Sequence, residues 1–162
     1  TKKPKKPIPY LKKIFKRTSY NLIQKQSLHS QEISNHVGYL AKDKAVRDIM
    51  RIYQKKIIKR NKRICVEGRD IATKILNKNP RYDLAFYFTC KINIAAKRRW
   101  KELKKKVALK EVQKSLAKRT KMDKKRKHSP LKKVNDAILI RTDRLSKKEV
   151  LRRMSNEVDK II

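Results

Sequence analysis

Positive charge outruns negative by 35 in this chain of 162 residues, because 49 Lys and Arg stand against 14 Asp and Glu. Solubility asks for a net charge of only about 2 to 8, and a compact body carrying far more repels itself unless something neutralises it. A polyanion is the natural neutraliser. The hydrophobic share, 38%, and apolar runs such as Leu84 to Phe88 argue against a wholly disordered chain. The length suits one domain with a core plus a tail. No stretch approaches the ~20 apolar residues that cross a bilayer, so no membrane partner is expected. Cys65 and Cys90 lie in apolar, strand-like segments without metal-ligand spacing and are read as reduced core residues, with no metal site.

Along the chain, residues 1–27 read as a basic extended arm. Lys2, Lys3, Lys5 and Lys6 alternate with Pro4 and Pro7, and Lys12, Lys13, Lys16 and Arg17 follow Pro9. Such an acid-free start is like that of a transit peptide, but its prolines would break a presequence helix and favour an extended backbone able to follow a groove of folded RNA. Residues 28–162 read as a folded α/β domain. Helices are expected over Ser30–Ala41 and Lys44–Arg60, where Val46, Ile49, Met50, Tyr53 and Ile57 recur at helical spacing. Strands are expected over Ile64–Val66, Tyr82–Thr89 and Ala137–Ile140. Ile92 to Lys127 has neither Gly nor Pro and reads as almost continuous helix, stopping at Ser129-Pro130; Lys147–Ile162 closes the chain as a helix with Val150, Met154 and Val158 inward. Strands separated by helices imply a parallel sheet flanked by helices.

Several motifs stand in order: Leu28-His29-Ser30-Gln31-Glu32-Ile33-Ser34-Asn35, Cys65-Val66-Glu67-Gly68-Arg69-Asp70-Ile71-Ala72-Thr73, Arg98-Arg99-Trp100-Lys101-Glu102-Leu103, Arg119-Thr120-Lys121-Met122-Asp123-Lys124-Lys125-Arg126, Ser129-Pro130-Leu131 and Asp136-Ala137-Ile138-Leu139-Ile140-Arg141-Thr142. At these spacings the stretch from Leu28 to Ile162 resembles the bacterial cytidylate kinase family, P-loop kinases that move the γ-phosphoryl of ATP to CMP or dCMP. The resemblance implies a partial P-loop-kinase-like fold and a vestigial CMP site. Arg69 would clamp the phosphate, and Asp70 would face the cytosine edge, a carboxylate suiting its exocyclic amino group. Arg119 and Arg126 would contact phosphate, Asp123 would hold the ribose, and Arg47 would lie on the base side. Guanidinium forks grip phosphate bidentately, which suits arginine at these positions. The sequence departs from the family at Gly38, where the family has a base-binding serine, at Thr120 and Arg141, which replace acidic residues, and at Ala72, which replaces glycine.

Nothing in the 162 residues matches Gly-x-x-x-x-Gly-Lys-[Ser/Thr], and the two glycines, Gly38 and Gly68, cannot wrap backbone amides around a triphosphate. Phosphoryl transfer needs that cradle and its magnesium, so no ATP site and no other cofactor is expected, and the chain by itself reads as a non-catalytic relative. Basic clusters at Lys55–Arg63, Lys97–Lys106 and Lys118–Lys133, including Lys104, Lys105, Lys106, Lys124, Lys125 and Lys127, extend the charge of the arm across the folded part. These features lead to the expectation of an RNA-binding structural component of a large ribonucleoprotein. Its partners would be rRNA and neighbouring ribosomal proteins, and its place a mitochondrial or other organellar ribosome. The alternative is a (d)CMP kinase whose phosphate loop lies outside this chain, with a cytoplasmic location.

Overall fold

The computed structural model describes residues 7–17 and 43–162. They belong to two compact units, Thr1–Val66 and Glu67–Ile162.

In the first unit, α1 spans Pro7–Arg17. Within the arm expected as extended over residues 1–27, the segment Pro7–Arg17 is therefore helical instead. Proline is barred from a helix interior because it lacks an N–H, but the first turn has no intrahelical use for those N–H groups. Pro7 and Pro9 both fall in that first turn. Beyond them Ile8 and Leu11, one turn apart, are half-buried, and α1 packs against α2, Lys44–Lys59. Asp43 caps α2, its Oδ1 accepting from the backbone N–H of Ala45 at 2.7 Å and Val46 at 3.2 Å. At the other end Asn61 donates its side-chain N–H to the Ile57 carbonyl at 2.7 Å. Val46 and Ile58 are the buried residues of this helix, so the apolar stripe runs to Ile58 rather than to Ile57. The helix expected over Ser30–Ala41 lies outside the described residues.

Ile64–Val66, expected as a strand, forms none, and Ile64 and Cys65 are exposed. A three-residue run owes its extended form to the backbone partners of a neighbouring strand, and none is present among the described residues. Cys65 is accordingly a free, exposed thiol rather than a core residue, whereas Cys90 is free and half-buried.

The second unit opens on a π-helix, Ile71–Ile75, whose wide turn is marked by the Leu76 N–H donating to the Ile71 carbonyl at 2.8 Å. Next comes β1, Phe86–Thr89, then α3, Ile92–Glu102, and α4, Leu109–Lys125. Strand β2, Ile138–Arg141, and α5, Lys147–Val158, complete the order. The two strands pair in parallel, Phe86 opposite Ile138 and Thr89 opposite Arg141. The connection between them carries α3 and α4, as a parallel pair requires a long crossover. Ala85, Ala96, Val112, Ala137 and Ile140 form the core of this unit together with Ile75 and Leu76 at the end of the π-helix. Thus the fold is mixed α/β with a two-stranded parallel sheet among the described residues.

The single long helix expected over Ile92–Lys127 is divided. Lys104 and Lys105 take left-handed backbone torsions, φ 51° and 59°, which end α3 and turn the chain into α4. Trp100 explains the break: its indole N–H donates to the Val107 carbonyl at 2.8 Å and the Lys105 ammonium lies 5.1 Å from its ring centre. Propensity alone favours continuing the helix, and this local tertiary contact overrides it. Helix α5 begins with a capping box, Ser146 accepting from the Glu149 N–H and Glu149 accepting from the Ser146 N–H. The serine's bonds hold the Glu149 carboxyl below its ordinary 4.5. Val150, Met154 and Val158 are half-covered, as their spacing predicts, and so is Glu157 beside them.

Candidate functional site

Three of the residues singled out in the sequence converge. Asp123, in the last turns of α4, is 1% exposed, and it is the largest fully buried side chain among the described residues. Its Oδ2 lies 3.3 Å from Nε of Arg69, and its Oδ1 meets Nη2 of Arg126. Burying a lone carboxylate is prohibitive, whereas a carboxylate between two guanidinium groups is tolerable. The backbone fixes the same point twice, since the Asp123 carbonyl also accepts the Leu131 N–H at 2.8 Å. Arg126 is the C-cap of α4, with φ −59° and ψ 133°. Leaving the helix there lets its side chain fold back over the last turn. Ser129, 2% exposed and left-handed at φ 56°, completes the reversal.

Arg69 reaches this carboxylate from the other end of the unit's sequence. It follows Gly68, where a Cβ would come within 2.8 Å of the Ile71 side chain, so the close approach of the chain to the π-helix depends on a residue with none. Asp70 caps the π-helix with its backbone: its carbonyl accepts from Lys74 N–H at 2.9 Å and from the Thr73 hydroxyl at 3.3 Å. π-turns are rare and gather at functional sites; this one presents Arg69 and Asp70 side by side at its start. Arg69 approaches Asp123 through Nε, and 45% of its side chain remains exposed. Arg119 is exposed one turn before Asp123 on α4. The result is a buried carboxylate that sets two guanidinium groups, with a third arginine on the same helix.

Arg47 lies on α2 in the first unit and is half-buried. Of the expected RNA-contacting residues, Lys12, Lys13 and Arg17 are exposed on α1, to which Lys16 also belongs, and Lys104, Lys105 and Lys106 are exposed between α3 and α4. Lys124, Lys125 and Lys127 are exposed at the end of α4; Lys2, Lys3, Lys5 and Lys6 lie outside the described residues. Among the described residues no group of His, Cys, Asp and Glu is placed to hold a metal ion, and no helix is long and apolar enough to cross a membrane.

Two further arrangements went unread in the sequence. Asp136, just before β2, accepts from the Tyr82 hydroxyl at 2.7 Å and from Arg81 at 3.0 Å. The bond from Tyr82 lowers the Asp136 carboxyl below its ordinary 3.8 and raises the Tyr82 hydroxyl. This clip joins the segments leading into the two strands. At the opposite, carboxyl end of the sheet, Arg98 of α3 donates to the carbonyls of Thr142 at 2.7 Å and Leu145 at 3.2 Å. The Thr142 hydroxyl donates in turn to the Thr89 carbonyl at 3.1 Å. Parallel α/β sheets bind ligands at that end, and Arg98 braces the loops there. An Arg-Arg-Trp run on a basic helix signals nothing of the kind until the strand ends are known.

A family model described as cytidylate kinase matches residues 13–160. The chain is 38% identical over 130 residues to the cytidylate kinase of Thermosipho melanesiensis, covering 78% of this chain and 58% of that protein. It is 36% identical over 134 residues to that of Alkaliphilus oremlandii, covering 81% and 60%, and 35% identical over 141 residues to that of Rickettsia felis, covering 85% and 63%. The chain thus spans about three fifths of the length of the curated relatives it matches. With a parallel α/β unit carrying Arg69, Asp123 and Arg126 in one cluster, and a family match that runs through nearly its whole length, the chain belongs to the cytidylate kinase family.

Proposed function

We propose that this chain supplies the acceptor side of a phosphoryl-transfer site for CMP or dCMP. The Arg69–Asp123–Arg126 cluster carries the reading. A buried carboxylate that orients guanidinium groups costs desolvation, and a purely structural fold gains little from such a pair over an apolar contact. Guanidinium groups held ready for an oxyanion need no reorganisation when charge develops on a transferring phosphoryl group. In this reading Arg69, Arg119 and Arg126 face the nucleotide phosphate, Asp123 positions two of them, and Asp70 faces the base. Asp123 beside two arginines is a positioning residue first, which adds to the ribose contact that the family resemblance implies. The residues present do not fit a triphosphate, for the reason given by the glycine count, so ATP and its magnesium would be held by a segment outside these 162 residues.

The test is a coupled assay of ADP formation on the complete gene product, with CMP, dCMP, UMP and AMP as acceptors. Turnover with CMP or dCMP that falls about 10- to 100-fold in Arg119→Ala is expected, the loss of one charge-assisted bond. Arg119 is exposed, so the variant keeps its melting temperature. Absence of turnover with every acceptor, and of CMP binding by calorimetry, would overturn the reading. The second reading is the RNA-bound structural component of an organellar ribosome, and what supports it is the net charge of +35. A nucleotide site does not account for a surplus of that size.

A further inference from the structure

Helix α4 has two unlike faces. Leu109, Val112, Leu116, Thr120 and Asp123 are buried or half-buried on the side that packs against α3 and holds the arginine cluster. On the other side Lys110, Lys114, Lys118, Lys121 and Lys125 follow one another at steps of four, four, three and four residues, and all five are exposed. At about 100° per residue these five lie within an arc of about 80°, and at 1.5 Å per residue they form a straight stripe about 22 Å long. None of the five makes an ion pair among the described residues. Like charges at i,i+4 destabilise a helix, so the stripe is a row of mutually repelling ammonium groups that a line of anions would relieve.

We propose that this stripe is a docking surface for the backbone of double-helical RNA, separate from the nucleotide site on the opposite face of the same helix. A duplex carries a phosphate at every nucleotide of both strands, so a stripe of this length lies within reach of several of them. The side chains on the arc are lysines, point charges that neutralise phosphates without reading bases. No aromatic residue stands in α4 to stack on the bases of a single strand. Entering the major groove of DNA rewards a protruding helix that carries Arg, Asn or Gln readers. Helix α4 instead lies flat on α3 and offers one shallow face, which fits the wide, shallow minor groove of an A-form helix and its flanking phosphates.

The experiment uses the full chain and a fluorescent RNA hairpin of about 20 base pairs, followed by anisotropy from low to physiological salt. Substituting all five lysines by Gln, which has similar helix propensity, is expected to weaken binding more than tenfold at physiological salt. The slope of log affinity against log salt should fall by about four. The control replaces Lys74, Lys78, Lys91, Lys147 and Lys148, exposed residues off the stripe, by Gln and removes the same charge. An equal loss in the control would show that only diffuse charge is at work and would overturn the proposal. So would a DNA duplex of equal length that competes as well as the RNA. CMP binding unchanged in the stripe variant is expected, and it separates this surface from the acceptor site.

Discussion

Asp123 and Asp136 each hold one arginine and a second donor, and they differ mainly in their access to water. Asp123 is 1% exposed between Arg69 and Arg126, whereas Asp136 is 49% exposed between Arg81 and Tyr82. Water screens the second arrangement and supplies substitutes for any bond it loses; nothing replaces a partner removed from the first. The two clusters therefore teach that similar polar chemistry serves different ends. Around Asp136 it ties two strands at their beginnings, and around Asp123 it stores two oriented positive charges.

Removing the buried charge breaks that contrast most sharply. Asp123→Asn leaves two guanidinium groups facing each other without a counter-charge and is expected to cost about 3 kcal/mol in urea unfolding. Near-wild-type stability would mean that the arginines turn outward freely. Removing one arginine at a time grades the cluster. Arg126→Ala, whose side chain is 17% exposed, should cost about 2 kcal/mol, and Arg69→Ala, 45% exposed, about 1 kcal/mol. A reversed order would show that the π-turn, rather than the end of α4, anchors the carboxylate. The exposed cluster gives the smallest effect. Asp136→Asn is expected to shift the thermal midpoint only slightly at pH 7. Because the folded carboxyl titrates below its ordinary value of 3.8, its contribution is complete above that value and disappears as the pH falls through the lower, folded one. Wild type and Asp136→Asn should therefore melt together in strong acid and apart at neutral pH, as scanning calorimetry would show.

The elements with strong periodicity were legible in advance: α2, β2 and α5 form where their apolar spacing and caps place them. Other elements depended on partners that composition does not display. Pro7 and Pro9 sit within a helix because its first turn excuses them, and Ile64–Val66 lacks the neighbour that a strand needs. The break after Glu102 follows from a bond between Trp100 and Val107, seven residues apart. At the site, Arg69, Asp123 and Arg126 were identified from motif order, but their meeting was not. That meeting depends on a chain reversal through Ser129 and on a separation of 54 residues between Arg69 and Asp123. The contact of Arg81 and Tyr82 with Asp136 was missed, since it joins residues 54 and 55 positions apart and an exposed arginine beside a tyrosine gives no sign of it.

The joint between α3 and α4 is wound against the grain of L-amino acids. Lys104 and Lys105 each cost about 1 kcal/mol relative to glycine in that conformation, and the indole of Trp100 holds them there through its N–H and its ring. Trp100 is in effect a clasp. Unfasten it, and the joint relaxes while each helix keeps its own ladder of bonds, so that the hairpin loosens without either arm unravelling.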